Sequence, residues 1–193
     1  MYLQITQQDK YSRSQLLIRT FFGLFYIIIP HAISLLFIFL WVIIINFMSF
    51  LIILFTGRYP KTFFDFKVNI LHWKLRLYIS LLNLTDNYPA IGLYGEEPNI
   101  KLEVEHPEKL NIFLLITKTF FGLIYVFLPH SVILIFRYLI SFILYIMCWF
   151  SILFTAKIPK SWFNFQVGTL RWSARIAIYL GFLTDRYPPY TGK

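Results

Sequence analysis

Charge is the scarcest thing in this chain. Only 14 % of its 193 residues are charged, against about 25 % in an ordinary soluble domain. Residues 16–55 carry one charge, Arg19, and residues 110–154 carry two, Lys118 and Arg137. With 58 % of residues apolar, and with each run longer than the roughly 20 residues that cross a bilayer, a soluble globular domain is excluded. The one cysteine, Cys148, lies inside the second run, so no disulfide framework exists and the residue reads as small, apolar and buried. Only four histidines are present, His31, His72, His106 and His130, with no CxxCH and no carboxylate cluster, which argues against a zinc site. No small-x-small cleavage site follows the first run, so that run is expected to stay as an anchor.

What charge there is leans basic, at +9. Lys10, Arg13 and Arg19 precede or open the first run, Arg58, Lys61, Lys67, Lys74 and Arg76 follow it, and Lys157, Lys160, Arg171, Arg175 and Arg186 follow the second. Positive flanks mark the cytoplasmic side and favour anionic head groups, so the expected partner is a lipid bilayer, with no nucleic acid.

The chain repeats itself. Residues 20–89 laid over 119–188 at a constant offset of 99 agree at 32 of 70 positions without a gap. TFFGLFYIIIPH returns as TFFGLIYVFLPH, LFTGRYPKTFFDFKV as LFTAKIPKSWFNFQV, and LTDNYP as LTDRYP. The expected fold is an all-α membrane protein of two tandem pseudo-symmetric repeats, each a proline-broken transmembrane segment followed by an amphipathic helix. The divisions are a loosely held polar segment at 1–15, repeat one at 16–90, an acidic linker at 91–109 and repeat two at 110–190. Pro30 and Pro129 are expected to end or kink the first helix of each repeat. Asp65, Asn69, His72, Arg76, Ser80 and Asn83 fall in one line along the amphipathic helix of repeat one. That stripe is expected to meet water at the membrane surface, or else to line a groove between the repeats.

Both LFT-x-x-x-P-K turns are basic, so both belong on the cytoplasmic side and an even number of crossings separates them. The stretch 110–128 is a cheaper crossing than the striped helix, which points to a hairpin turning near each Pro-His pair, with termini, linker and striped helices cytoplasmic.

Several matched residues are candidates for function. His31 and His130 are a possible paired site, able to face each other as ligands to haem or contacts to a quinone, or simply to start a helix after the proline. Arg76 and Arg175 suit a phosphate, and Trp73 and Trp172 suit anchorage at head-group level. Arg137 has no counterpart in repeat one and would be costly unpaired, so it calls for a partner protein, a head group or water. Asp86 and Asp185, with Pro89 and Pro188, read as a structural turn more readily than as an acid–base pair, because no nucleophile or phosphate loop accompanies them. No metal and no catalytic residue is expected.

LFTGRYP-K-x-x-FDF-x-V, L-x-W-x-x-R, LTD-x-YP and the V-E-H-P-E-K-L before the second copy resemble the bacterial membrane family called domain of unknown function 4389. Repeat two departs from the pattern at Ala156, Ile158 and Asn164. The resemblance implies a bacterial inner-membrane protein and no particular activity. Three functions compete: a non-catalytic accessory or scaffolding subunit docked on other membrane-protein subunits of the cell envelope, a phospholipid-binding or lipid-transport component, and a haem or quinone redox subunit.

Overall fold

The computed structural model describes residues 1–193 and holds four helices and one two-stranded ribbon: β1 (Tyr2–Ile5), α1 (Arg13–Thr56), α2 (Lys61–Leu81), β2 (Ile100–Glu103), α3 (Ile112–Thr155) and α4 (Lys160–Leu180). Both helices of the first half recur 99 residues later, boundary for boundary. Ser12 and Asn111 cap the long helices, their side chains accepting from the amides of Gln15 and Leu114. At the far ends Gly57 and Ala156 turn left-handed, at φ 66° and 56°, and return their amides to Ile53 and Ile152.

Of the two outcomes expected at proline, an end or a kink, the first does not occur. Helix continues through Pro30 and Pro129, because the preceding residues widen into π-helical turns at Leu24–Ile28 and Leu123–Phe127. There the amides of Ile29 and Leu128 reach carbonyls five residues back, which makes room for a ring that lacks an N–H.

These turns also let the helices bend. Arg19 bonds the carbonyl of Ser80, and Ile53 shares a core with Phe64. Along α1 those two residues are about 51 Å apart, whereas their partners on α2 are about 24 Å apart, so α1 bows around α2. The long helices lie antiparallel and meet near their ends. The Tyr11 amide bonds Ala156 O at one end and the Leu110 amide bonds Gly57 O at the other, both at 2.8 Å. Between those meeting points α2 and α4 occupy the space.

Residues 1–15 and the linker do more than expected. Alternation along β1 turns Leu3 and Ile5 inward, and β1 pairs antiparallel with β2 so that Leu3 faces Leu102. Those two leucines are equivalent at the offset of 99, so the pseudo-twofold axis passes between them. The ribbon's flanks also hold both basic turns, Gln7 donating to Ile158 O (2.6 Å) and His106 to Tyr59 O (2.9 Å).

Two of the three core clusters are shared between the halves, and the third, Val126, Leu134, Trp172, Ile176 and Tyr179, lies within the second half. One cluster joins Ile53, Tyr59 and Phe64 to Leu110, Leu115, Ile178 and Leu183. Its mate, Ile152, Ile158 and Phe163 with Tyr11, Leu16, Ile79 and Leu84, is the same set with the halves exchanged. The outer faces of α1 and α3 are apolar and open, with Phe21, Phe37, Trp41, Phe120, Phe136 and Phe142 exposed. Both helices are long and apolar enough to cross a membrane, and only 11 % and 17 % of their most apolar windows are buried, unlike the core helices of a soluble fold.

Candidate functional site

Each histidine of the Pro-His pairs is locked to the tryptophan of its own half. Trp73 Nε1 donates to His31 Nδ1 at 2.8 Å, and Trp172 Nε1 donates to His130 Nδ1 at 2.9 Å. An indole N–H is only a donor, so Nδ1 accepts and the ring proton belongs on Nε2. His31 then gives that proton to Pro89 O at 2.9 Å. His130 Nε2 is buried without a partner, and the Tyr190 ring stacks on the imidazole at 4.1 Å. Haem does not fit this arrangement: the two imidazoles sit in separate pockets of aromatic side chains, and His31 has no nitrogen left for iron. Nor does the structure gather three or more His, Cys, Asp or Glu side chains around a metal position. Trp73 and Trp172 are buried, their indole nitrogens spent on the histidines.

The polar stripe is buried from Arg76 to Asn83, where the chain's own loops cover it, whereas Asp65 at its head is exposed and Asn69 and His72 are half-buried. Arg76 is fully buried and its guanidinium bonds Gly92 O, close enough to Gly95 that a Cβ there would lie 2.6 Å from Nη1. Burial lowers its pKa and the nearby Glu97 carboxylate opposes that. Glu97, in the acidic linker, is itself buried, and it accepts from Asn87 Nδ2 (2.9 Å) and the Asn99 amide (3.3 Å). In the second half Arg175 bonds Thr191 O (3.3 Å) and Arg171 bonds Leu3 O and Gly192 O (3.1 and 2.9 Å). Arg137 finds its partners within the chain, Thr169 Oγ1 at 2.9 Å and Phe165 O at 3.1 Å, with its guanidinium 4.3 Å over the Phe165 ring. These partners are neutral, so no counter-charge meets the guanidinium within the chain.

LTD-x-YP is a clamp on the long helices. Asp86 accepts from the amide of Ser12 (2.8 Å) and Asp185 from that of Asn111 (2.7 Å), in each case at the helix N-cap 74 residues away. Tyr88 and Tyr187 donate to the carbonyls of Tyr26 and Tyr125, inside the π-helical turns, both at 3.0 Å. Burial raises the Asp86 pKa and the Ser12 amide pulls it back. The clamps differ in one respect: Asp185 also holds Lys118 at 2.7 Å, whereas the matching Arg19 bonds only carbonyls, those of Ser80, Thr85 and Asn87.

Between α2 and α4, at the junction of the halves, lies a crevice of about 500 Å³ that the sequence did not announce. Leu71, Leu75, Tyr78 and Leu82 form one wall and Leu170, Ala174 and Ala177 the other. The polar groups on its second wall are satisfied among themselves. Gln166 donates to Ser141 O (2.7 Å), Thr169 meets Ser141 and Arg137 (3.1 and 2.9 Å), and Ser173 meets Tyr138 (2.6 Å). The single cation on its lining, Lys74, lies off the polar stripe, which was the signal available in the sequence.

Residues 117–191 match the family model of a domain of unknown function, DUF4389. The matched segment takes in the second π-helical turn, Pro129-His130, α4 and the LTD-x-YP clamp. No curated protein and no solved structure matches the chain.

Proposed function

We propose that this is a non-catalytic integral membrane protein of the bacterial inner membrane, built of two tandem DUF4389-type domains, that binds a lipid in the crevice between them. The observation that carries this reading is the crevice itself. Its volume lies in the range of small-molecule sites, its walls are mainly apolar, and it sits within a frame of two helices whose outer faces are mostly apolar. The identity of 32 in 70 positions and the shared element boundaries support the first half as a second copy of the matched domain. The basic turns, both held from one ribbon, support entry and exit of each long helix by the same, cytoplasmic face, with termini and linker there too. Arg76, Arg175, Trp73 and Trp172 then serve the fold, and the lipid contact moves to the crevice.

The test is lipid retention. Protein purified in mild detergent should carry phospholipid, and Ala177→Trp, which fills the crevice, should release it. Equal retention by the variant would remove the crevice from the reading. A docked accessory subunit is the second reading, favoured by the open aromatic faces of α1 and α3. A tagged protein that runs alone at every detergent level would count against it.

A further inference from the structure

Resting on the lipid-binding reading, we infer that the crevice selects an anionic phospholipid and that Lys74 is its selectivity residue. Among the side chains lining the crevice, Ser141, Gln166, Thr169 and Ser173 each already make a hydrogen bond within the chain, at 2.6–3.1 Å. Lys74 alone brings charge to the site, and its ammonium makes no hydrogen bond or ion pair within the chain. Its side chain is exposed, so the ammonium is free to meet a ligand. The same residue borders a second, smaller cavity on the other side of the pseudo-twofold, of about 140 Å³, lined by Val42, Ile70 and Ile178 and by Lys67. Lys67 is spent on Gly181 O at 2.6 Å. One unspent cation, amid apolar walls and between two cavities, matches a molecule with one negative head and apolar chains.

The position is asymmetric, and that is what makes it specific. Ser173, the counterpart of Lys74 at the offset of 99, is neutral and bonded to Tyr138. A pseudo-symmetric pair of lysines would suit a head of two charges, whereas a single lysine suits the one net charge of a phosphodiester lipid such as phosphatidylglycerol. A zwitterionic lipid offers the same phosphate with a cation of its own beside it, which weakens the attraction to Lys74.

The experiment uses the full chain in mixed micelles holding equal amounts of phosphatidylglycerol and phosphatidylcholine of identical chains, with co-purified lipid counted by mass spectrometry. The wild type should favour phosphatidylglycerol about fivefold, the factor that one lysine contributes near a charged surface. Lys74→Gln should retain as much total lipid with that preference near one, and Lys74→Arg should restore it. Ala177→Trp should lose both lipids. Equal retention of the two lipids by the wild type, or an unchanged preference in Lys74→Gln, overturns the inference while leaving lipid binding intact. Absence of both lipids from the wild type overturns the lipid-binding reading itself. Because Lys74 is exposed and makes no bond within the chain, the glutamine variant has no structural reason to misfold.

Discussion

Replacing Asp185 by asparagine should cost far more than replacing Asp86, although both occupy the same place in LTD-x-YP. Either change weakens one charge-assisted bond to an N-cap amide, which is worth about 1.5–3 kcal/mol at most. Asp185 has a second duty. It is the only carboxylate on Lys118, whose side chain is 1 % exposed, at 2.7 Å. Taking one partner from a buried ion pair typically costs about 3–5 kcal/mol, since the remaining charge stays dehydrated. Thr184 O and the Tyr179 ring, 2.7 and 4.2 Å from the ammonium, return part of this. For a chain of this size 1 kcal/mol moves the midpoint by about 2–4 °C. Asp185→Asn should therefore unfold roughly 6–20 °C earlier in detergent and Asp86→Asn no more than about half as far. Lys118→Met should rescue the Asp185→Asn background, because a neutral side chain needs no counter-charge. Equal losses at the two aspartates, or no rescue by methionine, would refute the reasoning.

Further outcomes follow from the same geometry. Ala156 is left-handed where its counterpart is Gly57, so Ala156→Gly should raise thermal stability by about 1 kcal/mol, read from the unfolding midpoint; a loss would show that the Cβ makes a contact worth more than the strain. Burial holds the Lys67 pKa down to about 8. The unfolded chain then binds the extra proton between about pH 8 and the lysine's ordinary value, so stability attributable to this group should rise with pH across that window. The difference between wild type and Lys67→Met, followed by thermal melts at each pH, should carry that slope; a flat difference would mean the ammonium is solvated. Finally, with Cys148 replaced by serine, cysteines at the exposed positions Arg58, Lys160 and, in the linker beside Glu97, Glu96 should all be shielded from an impermeant thiol reagent on whole cells. Labelling at Arg58 but not at Lys160 would mean that α3 crosses the membrane once, end to end.

Much of this was written in local order. The repeat, the two long apolar runs and the helix after each basic turn are all short-range signals, because periodicity and proline act within a few residues. The clamp was half legible. That LTD-x-YP closes the second helix could be read, but its hold on Ser12, Asn111 and the π-helical turns spans more than sixty residues and has no local trace.

Burial was the property that only the tertiary structure decided. A stripe holding His72 and Arg76 looks the same in sequence whether water, lipid or the chain's own linker covers it, and here the linker reaches both. Trp73 reads as an anchor until His31 is found against its indole nitrogen, and Arg137 reads as unpaired until Thr169 lies beside it. Leu3 and Ile5 were too few to declare a strand, and they became one because Leu102 and Ile100 arrived from the linker to pair with them. The sequence could say that the chain was doubled. It could not say that two of the cores would be shared between the halves, since the physical reason is the antiparallel meeting of two bowed helices, a relation that no residue's neighbours in the chain record.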